Sequence, residues 1–129
     1  MSDMLSRVAG APITWGADAS AGWGYLMDPA RVMSEMREAG LSATELGPDG
    51  FLPSDPQELK DFVAGYGMSM VGGFVPAILY QDKDMDADVQ YFERASDQLA
   101  EAGASNVVLG PRSHYDGYDT EIDMDDDQW

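Results

Sequence analysis

Apolar and polar positions follow two rhythms along this chain. After Asp28-Pro29, the residues Val32, Met33, Met36 and Ala39 recur at helical spacing, with Arg31, Glu35, Arg37 and Glu38 on the other positions. After Asp55-Pro56, Leu59, Phe62, Val63 and Tyr66 repeat the same spacing, and Asp55-Pro56-Gln57-Glu58 forms a capping-box opening. Both stretches close twelve residues after their aspartate, at Gly40 and Gly67, and Leu41-Ser42 or Met68-Ser69 leads on to an apolar run. Aspartate offers an acceptor to the free amides of a first helical turn, proline fits the first helical position, and glycine takes the left-handed exit. The unit recurs less cleanly before Gly103, where a helix is predicted from about Asp86 to Ala102, with Val89, Phe92, Ser96 and Leu99 on one face.

Between the helices lie short, nearly all-apolar runs. Val8 to Trp15 reads as a first strand despite Pro12, which cannot donate to a sheet ladder. Ala43 to Leu46, Met68 to Val71 and Asn106 to Leu109 read as the second, third and fourth, the second closed by Gly47-Pro48 and the turn Asp49-Gly50. Gly72-Gly73 then leads from the third strand into Phe74-Val75-Pro76. The predicted order is β-α-β-α-β-α-β. Apolar strands alternating with amphipathic helices specify an α/β fold with a parallel sheet covered by helices.

Composition narrows the classes of function. The 129 residues include 24 acids against 7 bases, a net charge of −17, with only Lys60 and Lys83 as lysines. Phosphate contacts need clustered Lys and Arg, so nucleic acid is excluded as a partner, and an anionic membrane surface is excluded for the same reason. A lysine-poor acidic surface fits either a protein kept in solution at high salt or an ordinary acidic cytosolic protein. Residues 116–129 hold seven acids and no base, so they are expected to form an acidic tail, its last four residues opening a further helix. No cysteine means no disulfide and no thiol nucleophile. With neither a signal-peptide pattern nor an apolar run of about 20 residues, the expected location is cytoplasmic.

In parallel α/β folds, chemistry gathers in the loops after the strands. Trp15 and Gly16 follow the first strand, with Trp23 and Tyr25 beyond; Glu45, Leu46, Gly47, Asp49 and Phe51 follow or end the second. Phe74 and Pro76 follow the third, and Pro111, Arg112 and His114 the fourth. Glu45 interrupts an apolar strand, so its carboxylate is either held by loop amides or a base, or used on a ligand. Trp15, Trp23, Phe51 and Phe74 would either wall a small polyol or sugar or pack in the core. The sole histidine, His114, has no nucleophile beside it and reads as a loop residue. Gly22-Trp23-Gly24 lacks the third glycine of a dinucleotide loop. Asp82, Asp84, Asp86, Val89 and Glu93 fit a calcium-loop spacing, but Ala87 stands where the turn wants glycine; the other reading is an acid-rich approach to the long helix.

Gly10-Ala11-Pro12-Ile13-Thr14-Trp15-Gly16, the stretch from Thr44 to Pro53 and Gly72-Gly73-Phe74-Val75-Pro76 together resemble the N-terminal half of a xylose-isomerase-like (β/α)8 barrel. Within that superfamily the chain is most similar to inosose dehydratases and sugar-phosphate isomerase/epimerase proteins, over nearly all of Arg7 to Trp129. The resemblance implies a parallel barrel fragment with about four strands and three helices in residues 1–115, since a whole barrel takes roughly 250 residues. It implies a parent reaction on a polyol, keto sugar or inosose: metal-assisted proton abstraction beside a carbonyl, with manganese, cobalt or magnesium as the ion. The ligands for that metal come from later strands in the family, so none is carried over and this chain alone is expected to bind no metal and to be inactive. Trp15, Glu45 and Phe74 match positions that line the substrate pocket. Open edges on a half-barrel would favour a homodimer, which makes a non-catalytic binding or self-association module the alternative.

Overall fold

The computed structural model describes residues 4, 6–17, 25–80, 82–112, 121–122 and 124–127, with the backbone alone at 82–84. Among these residues three strands, β1 (Ala43–Glu45), β2 (Ser69–Ala77) and β3 (Asn106–Pro111), alternate with three α-helices, α1 (Pro29–Glu38), α2 (Pro56–Gly65) and α3 (Asp82–Glu101). The sheet is open, in the order β1-β2-β3, and both pairings are parallel. The fold is therefore α/β, consistent with a fragment of a parallel barrel.

The two aspartate caps form as the sequence dictates. Asp28 accepts from the amides of Ala30 and Arg31, and Asp55 from those of Gln57 and Glu58. Gly40, Gly67 and Gly103 all take the left-handed exit, at φ 87°, 69° and 93°. From α1, Val32, Met33 and Met36 turn inward to meet Leu59 and Val63 of α2 and Leu99 of α3, and Met68, Met70, Phe51 and Leu52 complete the core.

Four expectations change. Val8 to Trp15 is not a strand: Pro12–Trp15 is a 3-10 helix ended by Gly16 at φ 77°, and among the described residues a first strand is reduced to a parallel bridge from Gly10 to Thr44. Pro12 explains the change, because it fixes a helical φ and brings no N–H to a ladder. The third strand runs on to Ala77, so Gly72 to Pro76 is strand and not loop. Pro76 lies beyond the last β1 partner, and its missing N–H costs no rung on that edge.

The long helix begins earlier than predicted, at Asp82, and turns a different face inward. Val89 is 46% exposed, whereas Asp88, Ala95 and Leu99 are buried. This also overturns the calcium loop between Asp82 and Glu93: its twelve residues run along a helix, where they cannot wrap around an ion. Helix, strand or tail expectations for 113–120, 123 and 128–129 lie outside the described residues; at the adjacent 126–127 turn, the Asp127 amide donates to Asp125 at 3.0 Å.

Candidate functional site

The two faces of the sheet differ. On the helix side, an added Cβ at Gly73 would meet Leu46 and Leu99 at 3.2 Å each, so Gly73, Leu46 and α3 close tightly there. The opposite face carries Gly72, Phe74 and Pro76 from β2, because side chains alternate along a strand. Glu45 pairs with Gly72 and Phe74 with Val108, so Glu45, Phe74 and Val108 share that uncovered face. Phe74 is 49% and Val108 50% exposed. The Phe74 ring lies over Gly110, in the space that a Cβ on this glycine would fill.

Glu45 sits at a register shift between β1 and β2, half-buried, with its amide donating to Gly10 at 2.8 Å. Among the described residues no side-chain or amide hydrogen bond reaches its carboxylate. Of the three residues singled out from the sequence, the structure thus brings Glu45 and Phe74 together. Trp15 goes elsewhere: its indole N–H donates to Glu35 of α1 at 2.9 Å, and its ring packs against the core. Arg31, bonded to the same Glu35 at 2.8 Å, holds that carboxyl below the usual carboxylate range, and Trp15 adds to the effect. Phe51 is core and walls nothing, while Trp23 and His114 lie outside the described residues.

Two polar residues that pattern reading missed do structural work nearby. Asp88 is only 8% exposed and accepts the Ile78 amide at 2.7 Å, fastening α3 to the exit of β2. Tyr91 donates its hydroxyl to Asp49 across the β1 loop, at 2.8 Å to one carboxylate oxygen and 3.0 Å to the other. Asp88 stands four residues before Phe92 and eleven before Leu99, so an acid on the predicted apolar side was a readable signal; Tyr91 gave none, because it falls away from the assigned face.

Burial, with help from Asp49, pushes the Tyr91 hydroxyl from 10.0 up to about 12. The folded chain therefore keeps this proton where the unfolded chain has lost it. The resulting stability is whole below the unfolded value and drains away as pH rises through the folded one. Thermal melts from about pH 9 to 12 should show stability falling over the upper part of that range, and Tyr91→Phe should remove this share of the fall.

No protein-family model matches the chain. Two curated relatives do. The rhizopine catabolism protein MocC of Rhizobium meliloti is 33% identical over 110 residues, a match covering 85% of this chain and 33% of that protein. An inosose dehydratase of Geobacillus kaustophilus (strain HTA426) is 28% identical over 114 residues, covering 85% of this chain and 36% of the enzyme. These likenesses support an inosose dehydratase-like relationship. The chain spans about a third of the length of both relatives. Among the described residues no helix is long and apolar enough to cross a membrane.

Proposed function

We propose that this chain supplies the opening βα units of an inosose dehydratase-like barrel acting on a polyol or keto sugar. The observation that carries the reading is the shared, uncovered face of Glu45 and Phe74 on a parallel sheet, in a sequence similar to an inosose dehydratase. Glu45 would accept hydrogen bonds from ligand hydroxyls, and the Phe74 ring would cover the C–H face of the same molecule.

Among the described residues the divalent metal implied by the resemblance finds no matching ligand set. Among the described residues no group of three His, Asp or Glu side chains comes together to hold an ion. The chain by itself is proposed to be inactive.

Two measurements test the reading. Purified chain incubated with manganese and an inosose should show no turnover; turnover that Glu45→Gln abolishes would overturn the proposed inactivity. A chimera in which this chain replaces the matching third of the Geobacillus enzyme should dehydrate inosose, and Glu45→Gln in it should lower kcat/KM about tenfold or more, equivalent to about 1.4 kcal/mol. An active chimera indifferent to Glu45 would refute its role in the substrate wall.

The half-exposed Phe74 and Val108 also favour a second reading, a self-association module. Light scattering after size exclusion tests it directly, because a monomer would rule it out.

A further inference from the structure

After Glu45 the chain enters a loop over residues 46–55 whose two halves are held in different ways. The second half is anchored by core side chains, Phe51 and Leu52 being buried, and by Gln98 of α3, whose amide donates to the Ser54 carbonyl at 3.0 Å. The first half is a four-residue tip, Gly47-Pro48-Asp49-Gly50, with a left-handed glycine at each end, both at φ 76°. Within the tip, the Phe51 amide reaches back to the Pro48 carbonyl at 3.1 Å, which makes it one turn. Asp49 itself is exposed, and a Cβ at Gly50 would meet nothing within 4 Å.

The tip is also poorly filled underneath. A cleft of about 300 Å³ lies between it and α3, lined by Asp49, Ser54, Gly73, Tyr91, Arg94 and Gln98. A second, of about 140 Å³, adjoins the same loop at Pro48, Gly50 and Leu52. The Gly47 end lies close to the Pro12 ring, which a Cβ there would meet at 2.9 Å, but on the α3 side the space beneath leaves the tip without close packing. What ties the tip to the helix is the Tyr91 hydroxyl on the two Asp49 oxygens. An ionised acceptor makes this bond stronger than a neutral one, yet a single bond is easily exchanged for water.

We propose that the Asp49–Tyr91 hydrogen bond is a latch: made, it holds the 47–50 tip against α3; broken, it lets the tip swing on Gly47 and Gly50 and open the larger cleft. The tip lies at the carboxyl end of β1, two residues past Glu45, where parallel α/β folds place their ligand sites. Opening needs no loss of core, because Phe51 and Leu52 stay seated. The inference rests on this geometry and stands apart from the inosose reading.

Hydrogen exchange of the intact chain, followed by mass spectrometry, tests it. In Tyr91→Phe, amides of residues 46–51 should exchange about tenfold faster while those of α2 keep their rates. Asp49→Asn, which retains an acceptor for the Tyr91 hydroxyl, should keep most of the protection. Should Tyr91→Phe loosen α2 as well, the exposed-site variant Asp49→Ala decides: faster exchange confined to 46–51 upholds the latch. Unchanged exchange at 46–51 in Asp49→Ala would overturn it.

Discussion

Gly72→Ala is expected to cost about 3 kcal/mol and to lower Tm by ~10 °C, with the β2–β3 pairing as the part that fails. A Cβ at this position would stand 2.6 Å from the Asn106 carbonyl oxygen and 3.3 Å from its carbon. Backbone cannot step aside as the end of a flexible side chain can, and Asn106 is held as the first partner in the β2–β3 register. Relief would have to come from spreading the strands, which lengthens the hydrogen bonds that follow. Gly65→Ala makes a suitable control: a Cβ there meets nothing within 4 Å, and alanine favours a helix, so stability should rise slightly. Melting followed by circular dichroism measures both, and equal Tm values for the two variants would contradict the argument.

Asp88→Ala should be nearly as damaging, at about 2–3 kcal/mol. The substitution removes a charged acceptor and leaves the Ile78 amide without a partner in a residue only 1% exposed. Asp88→Asn keeps a carbonyl oxygen at the same place and should recover at least half of the loss. Chemical denaturation of the three proteins gives the comparison; an alanine variant as stable as the parent would show that water replaces the carboxylate without cost. The expected consequence reaches beyond one bond. Asp88 is where α3 meets the exit of β2, so its loss frees the helix that carries Tyr91 and Gln98.

The helices were legible because each is punctuated by chemistry that acts locally. Asp28 and Asp55 cap the turns they begin, and glycine ends each helix unit in a conformation that other residues resist. Strands were less legible, since pairing decides them. Gly72 and Gly73 resemble a loop until the Asn106 backbone closes on the first and the Leu46 and Leu99 side chains on the second, and those approaches are what require them to lack side chains. Pro12 pulled the other way, turning an apolar run into a 3-10 turn with a single bridge. Glu45 and Phe74 could be singled out because a charge in an apolar strand and an aromatic beside glycines are visible in order. Asp88 was visible as an acid in line with Phe92 and Leu99, but its partner was not, because only the fold brings the Ile78 amide to it. The shared face of Glu45 and Phe74 likewise depends on the register, including the shift between Thr44 and Glu45.

The Phe74 ring seated over Gly110 bears on how the sheet finds its alignment. Parallel strands bond evenly along their length, so the backbone alone discriminates weakly between one alignment and another shifted by two residues. A ring that needs a vacancy diagonally across on β3 does discriminate. Sliding β3 by two residues would put Val108 or Arg112 where Gly110 belongs, and the ring would strike a side chain in place of bare backbone. Phe74 and Gly110 together act as a detent: the chain can search many alignments while the sheet forms, but it clicks home in one.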